Sequence, residues 1–426
     1  MSISVTFNST HRVLLASEFF LARRPVVDRN LDLVAHELLF FAPQTGSTAR
    51  PDEQTAAAPV IADVCTHGLV RVLGDRLGIL YIDHAALMSD IFGMLPADRI
   101  VFELPARGAL APAAAERLAA LCDAGFRFAA VDTGDEVALR ALLPWVQGVR
   151  LDVSESDPAK LAPACTSLKA ANKLLLAERV DTPQAFDACR ALGFDFFQGY
   201  HFATARPGAE QRLGSSELAI SALIALLASD ADSAEIEQAL KRDVALGLKL
   251  LRMANAPAFG YHHIDSLRQA LMLVGRNQLQ RWLQLMLYAR EGDTPSLPLL
   301  TMAATRARLI ELLAQNLRPA NRSIADSGFT VGIMSLMDTL FSMPMSEILA
   351  DMPVGEEVVD ALLHRAGYLG KLLELAELTE WAHNHDQRIC QVLGELKLSA
   401  RDLYGLQLAA YEWGDAVARH AGTMEE

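Results

Sequence analysis

Hydrophobic and polar positions change their period about halfway along the chain. Up to residue 206, short β-rich runs alternate with Ala- and Leu-rich amphipathic stretches. Strands are predicted over 32–39, 78–83, 100–104, 127–131, 148–152, 174–180 and 196–200, with helices over 112–124 and 182–192. Runs at this spacing, with helices between them, imply βα crossovers and a parallel sheet. Enough units are present to close a (β/α) barrel.

From Leu213 onward the pattern is helical. Asp232 followed by Glu235 resembles an N-terminal capping box. Ile236, Leu240, Val244 and Leu248 then recur every four residues and predict one buried stripe. Asn255-Ala256-Pro257 stops that helix; Ser266 caps the next, which turns Ala270, Leu273 and Val274 inward. Further helices are expected over 301–316, 332–341, 356–378 and 400–419, and unstructured loops over 43–59 and 292–298. The expected organisation is two domains, 1–206 and 207–426: an α/β barrel, then an all-helical domain.

Composition narrows the class. Apolar residues make up 51% and charged residues 21%, as in a globular protein. The net charge is −14, and both halves are acidic, so neither offers the broad basic face that direct nucleic-acid binding needs. Cys65, Cys122, Cys165, Cys189 and Cys390 are scattered, which suits a reducing compartment better than a disulfide framework. There is no basic leader, and the most apolar stretch, 218–228, is about half a membrane span. A cytoplasmic protein with no membrane partner is expected.

Polar residues recur near the C-terminal end of nearly every predicted strand: Glu37, Asp83, Glu103, Asp132, Asp152, Glu178 and Gln198. In a barrel those ends share one face. Six carboxylates converging there repel one another unless a cation, a base or hydrogen-bond donors offset them. Each taken singly reads as a helix cap or a solvated acid; the recurrence is the signal.

Residues 20–207 resemble the EAL family of cyclic-di-GMP phosphodiesterases. The opening Ala22-Arg23-Arg24-Pro25-Val26-Val27-Asp28-Arg29-Asn30, leading into Ala35-His36-Glu37-Leu38-Leu39, is similar to the start of EAL domains fused to HDOD domains. Ala177-Glu178-Arg179-Val180-Asp181-Thr182 and Gln198-Gly199-Tyr200-His201-Phe202 are similar to the AEGVET and QGYxF signatures. The resemblance implies two Mg²⁺ or Mn²⁺ ions held by oxygen ligands and an in-line attack of water on a phosphodiester. It places Glu37, Asp83, Glu103 and Asp132 at metal positions, and Glu178 at a retained site acid. Three positions depart from it. Val131 replaces a bridging aspartate, Arg150 replaces the catalytic lysine, and Ala106 replaces a glutamate that steadies a site loop. Val131 has no ligand atom, and Arg150 stays protonated. The arginine can itself neutralise carboxylates, so the metal positions are expected to be remnants without ions, with Mg²⁺ the ion for any residual binding. Glu37, Leu39, Arg150 and Gln198 are the candidates for binding cyclic-di-GMP.

Residues 213–420 resemble HDOD domains, most clearly at Leu251-Arg252-Met253-Ala254-Asn255-Ala256-Pro257-Ala258-Phe259 and then Ile264, Ser266, Ala270, Leu273 and Gly275. No histidine precedes Asp338, which reads as a surface or capping residue. His383-Asn384-His385-Asp386 and His262-His263 read as solvated loops. Met334, Met337, Met343, Met345 and Met352 read as core filling, and Cys122 and Cys189 as packed thiols. The chain is therefore expected to be a non-catalytic bacterial signalling regulator that engages signalling proteins through its HDOD domain and barrel surface. The alternatives are a cyclic-di-GMP receptor without turnover and a weakly active phosphodiesterase. A homodimer is implied by resemblance only.

Overall fold

Eight strands close into a barrel in chain order. They are β1 (Phe20–Asp28), β2 (Leu33–Phe41), β3 (Leu77–Tyr81), β4 (Ile100–Ala106), β5 (Arg127–Asp132), β6 (Gly148–Asp152), β7 (Leu174–Glu178) and β8 (Phe196–Gln198). A bundle of helices follows from Ser215 to Gly422. This computed structural model describes residues 20–41, 68–154, 158–203, 215–229, 231–255, 264, 266–288, 296–352, 354–380 and 386–422. The fold class expected from the sequence is the one observed.

The sheet is not wholly parallel. β2 to β8 pair in parallel, but β1 runs antiparallel to both β2 and β8. Only residues 29–32 separate β1 from β2, too few for a crossover, so the pair is a hairpin. Asp28 builds its turn by accepting from the Asn30 and Asp32 amides at 2.8 and 2.9 Å. β1 carries Arg23, Arg24, Pro25 and Asp28, which mask the alternation a strand search relies on.

This reversal leaves β1 without the covering helix that a βα unit supplies. The helix Ala400–Gly422, from the far end of the chain, packs there instead. Arg23 fixes the contact. Its guanidinium donates to both carboxylate oxygens of Asp415 at 2.9 and 3.0 Å, and to the Val72 carbonyl at 3.1 Å. It also lies 4.0 Å from the Tyr411 ring centroid. One continuous apolar core runs from Val27 and Val72 in the barrel to Leu403 and Leu408 in the bundle. The expected boundary after Arg206 falls in 204–214, outside the described residues.

At the centre of the bundle is the long helix Ser296–Leu317, packed against Arg322–Met334, Gly367–Glu380 and Ala400–Gly422. Gly332 permits a close crossing: a Cβ there would sit 2.3 Å from Ala307 Cα. Three local expectations are corrected. The stripe from Ile236 to Leu248 is split, because Asp243 ends the helix Ser233–Arg242 and caps Val244–Ala254 by accepting from Leu246 N at 3.0 Å. The buried positions become Leu246 and Leu250, and Leu248 is exposed. Leu273 is likewise exposed beside buried Ala270 and Val274. The expected helix 356–378 is two, Glu356–His364 and Gly367–Glu380, divided at Arg365, whose φ is +53°. Asp232 caps as expected, accepting from Ala234 N and Glu235 N at 2.8 Å. No helix among the described residues is long and apolar enough to cross a membrane. The loop 43–59, His262-His263 and His383 to His385 lie outside the described residues.

Candidate functional site

Two-residue alternation along the strands turns Glu37 of β2, Glu103 of β4, Arg150 of β6, Glu178 of β7 and Gln198 of β8 toward one another. The guanidinium of Arg150 is at their centre. It meets Glu37 Oε1 at 2.7 Å, Glu103 Oε1 at 3.0 Å and Glu178 Oε1 at 3.8 Å. Gln198 Nε2 donates to Glu37 Oε2 at 2.6 Å, and Arg24 Nη1 reaches the same oxygen at 3.4 Å. Arg150, Glu37, Glu103 and Gln198 are all buried, and Glu178 is the most open of the set. Arg24 belongs to this site and was missed by sequence reasoning. Its signal was the alternation along β1, visible only once β1 is recognised as a strand.

Burial and charge set the protonation. Burial pushes the Glu37 carboxyl up, but Arg150, Arg24 and the Gln198 amide outweigh it and hold the group below its ordinary value. Glu103 goes the other way. Burial raises it, the charges of Glu37 and Glu178 add to that, and Arg150 only partly offsets them, leaving it at about 7. Three acids facing Arg150, with Arg24 on one of them, exceed the positive charge present; Glu103 absorbs the imbalance by taking up a proton near neutrality. Glu103 Oε2, Arg150 Nη2 and Gln198 Oε1 are buried without a hydrogen-bond partner among the described residues.

The other strand-end acids do not join this cluster. Asp83 caps the helix His84–Leu87, accepting from Ala86 N at 2.7 Å. Asp132 accepts from Gly134 N at 2.9 Å in an exposed turn. Asp152 accepts from Ser154 N at 3.0 Å and pairs with Arg179. Arg179 takes a left-handed conformation, φ +63°. Val131 is the Cα partner of Arg150 across β5 and β6. Ala106 is fully buried, and its carbonyl accepts from Thr133 Oγ1 at 2.5 Å. Leu39 is half-buried against the main core.

The two divalent ions implied by the resemblance do not fit this donor set. A divalent ion needs several convergent oxygens, and among the described residues no three His, Cys, Asp or Glu side chains form such a group. The guanidinium stands among the carboxylates that would supply those oxygens, and Val131 brings none. Elsewhere, Asp338 is in the first turn of Met337–Phe341 and accepts from Thr339 N at 2.7 Å. Met334, Met337 and Met352 are buried, and Met343 and Met345 are partly buried against the core. Burial pushes the thiol of Cys189 up to about 11 and raises that of Cys122, which suits packing rather than nucleophilic reaction.

A closed barrel with one reversed strand, followed by a helical bundle, defines the class. Residues 216–344 match the model of the HDOD domain family. The chain is therefore a closed (β/α) barrel followed by a helical region that contains an HDOD match. It is 27% identical to the cyclic di-GMP phosphodiesterase CdgJ of Vibrio cholerae, over 94% of this chain and 93% of that one. It is 25% identical to the uncharacterised protein YuxH of Bacillus subtilis, over 92% of this chain and 97% of that one. Among solved structures, an EAL domain protein from Listeria monocytogenes aligns at 17% identity and a TM-score of 0.36, covering 44% of this chain and 87% of that one.

Proposed function

We propose that the protein is a cytoplasmic regulator in cyclic-di-GMP signalling whose barrel has exchanged metal-dependent hydrolysis for an arginine-centred polar core. It acts through protein contacts made by the HDOD domain and the barrel surface; self-association through the barrel belongs to the same reading. The observation that carries the reading is the position of Arg150, 2.7 and 3.0 Å from Glu37 and Glu103, which the resemblance places at metal positions, and 3.8 Å from the retained site acid Glu178. A guanidinium supplies positive charge to those acids but has no vacant coordination position on which water can be activated. It also does not release a proton, so it is no acid–base substitute for lysine.

Hydrolysis is tested by incubating the full chain with cyclic-di-GMP and excess Mg²⁺ or Mn²⁺ and separating products by chromatography. The expected result is no linear dinucleotide above the protein-free blank. Metal-dependent turnover would overturn the reading and favour a weakly active phosphodiesterase, the alternative that the name of the Vibrio relative suggests. Calorimetry on the same mixtures separates the remaining alternative: saturable heat without product identifies a receptor, with Arg150 and Gln198 the first residues to vary.

A further inference from the structure

The interior of a (β/α) barrel is ordinarily filled by stacked layers of side chains. Here the lower layers, toward the N-terminal ends of β2 to β8, are left open. Ala35, Ala129 and Gly148 occupy inward positions where bulky branched residues are the rule. A cavity of about 370 Å³ results, lined from all eight strands. The outward residues Phe102, Phe128 and Phe197 are completely buried under helices, whereas the inward residues Leu77, Val101, Ala129 and Phe196 are only partly buried. Leu174, at the mouth, is 46% exposed. Val26, Ala35, Ile79 and Leu176 accordingly form an apolar cluster of their own, separate from the main core.

We propose that this lumen binds the hydrocarbon chain of a medium-chain fatty acid. The lining is almost wholly apolar, and an unfilled apolar space of this kind accepts hydrocarbon rather than water. Its volume equals about twelve water volumes and suits a chain of about ten carbons. The ceiling is closed by Glu103 and Arg150, so entry is from the opposite, N-terminal mouth. Arg127 lies at that mouth in the first position of β5. It gives a hydrogen bond to the Asp98 carbonyl, which leaves further N–H groups of its five to hold a carboxylate head. Nothing here depends on whether the upper face hydrolyses cyclic-di-GMP.

The test is calorimetric titration of the full chain with decanoate below its micelle concentration, and separately with 1-decanol. Saturable one-to-one binding of decanoate is expected. Arg127→Gln should weaken decanoate about fivefold and leave 1-decanol unchanged. Ala129→Leu fills the lumen and should weaken both ligands at least tenfold; Val101→Phe does the same from β4 where the first variant does not fold. The proposal is overturned if the parent shows no saturable binding, or if a folded lumen-filled variant binds as tightly as the parent.

Discussion

Replacing Arg150 by methionine removes the charge and leaves an apolar stem of similar reach. The structure sets the size of the effect. Glu37, Glu103 and Glu178 lose the cation that holds them together, and both Arg150 and Glu37 have side chains only 5% exposed. Removing one member of a buried ionic cluster costs about 3–5 kcal/mol, because the remaining charges are stranded. The cost depends on pH, and its sign follows from Glu103. That carboxyl is already raised to about 7 by burial and by its acidic neighbours, with Arg150 pulling it back; without Arg150 it rises further. In this range the folded state binds more protons than the unfolded state, so its contribution is fully present below about pH 4.5 and is lost as pH rises through the folded value. The variant should therefore lie about 4 kcal/mol below the parent at pH 8, and by about half that at pH 5. Urea unfolding at the two pH values measures both differences. A loss under about 1 kcal/mol at pH 8, or an equal loss at both, would refute the view that Arg150 neutralises this cluster.

Four further outcomes are expected. Glu103→Gln should gain stability relative to the parent as pH rises from 5 to 8, by up to about 3 kcal/mol, since the buried carboxyl, raised to about 7, no longer opposes folding when it ionises; parallel denaturant curves read the change. Gly199→Ala should cost about 3 kcal/mol, because φ is +149° and a Cβ would lie 2.2 Å from the Val180 carbonyl oxygen; thermal unfolding checks it. Arg23→Ala should cost about 3 kcal/mol by stranding Asp415, with the double replacement Arg23→Ala/Asp415→Ala recovering part of it in a mutant cycle. Asp243→Ala removes the cap of Val244–Ala254 and should cost about 1 kcal/mol, seen as a lower unfolding midpoint.

The seven predicted strands were legible because β2 to β8 carry the apolar runs that a parallel sheet, covered on its outer face, requires. β6 is found over the predicted residues, and the others differ by a few residues at their ends. β1 was not legible, since its polar residues serve two buried ion pairs that no local pattern reveals. For the same reason the site was only half visible. The recurrence of acids at strand ends was readable, but Asp83, Asp132 and Asp152 satisfy turns or helix caps while Glu37, Glu103 and Glu178 converge. Which acids converge depends on strand register and twist, not on their order in the chain. In the bundle, the four-residue spacing from Ile236 to Leu248 suggested one helix, but Asp243 prefers to cap a backbone N–H over continuing it.

The reversed strand also explains why the two halves belong to one structure. Neighbouring residues of a strand point to opposite faces, so β1 carries Arg23 outward to Asp415 of the bundle and Arg24 inward to Glu37 of the site. β8 repeats the arrangement: Gln198 donates inward to Glu37, and two residues later the Tyr200 hydroxyl gives a hydrogen bond to the Glu380 carbonyl. The Glu380 carboxylate in turn is held by Arg306 at 3.0 and 2.7 Å, and Arg306 donates to Ser335 Oγ at 2.7 Å. β1 and the segment from β8 to Tyr200 thus each carry one residue to Glu37 and one to the helical bundle. Arg24 and Gln198, the inward members of the two sets, share one oxygen, Glu37 Oε2, so the contacts to the site and the contacts to the bundle lie on the same two backbone segments.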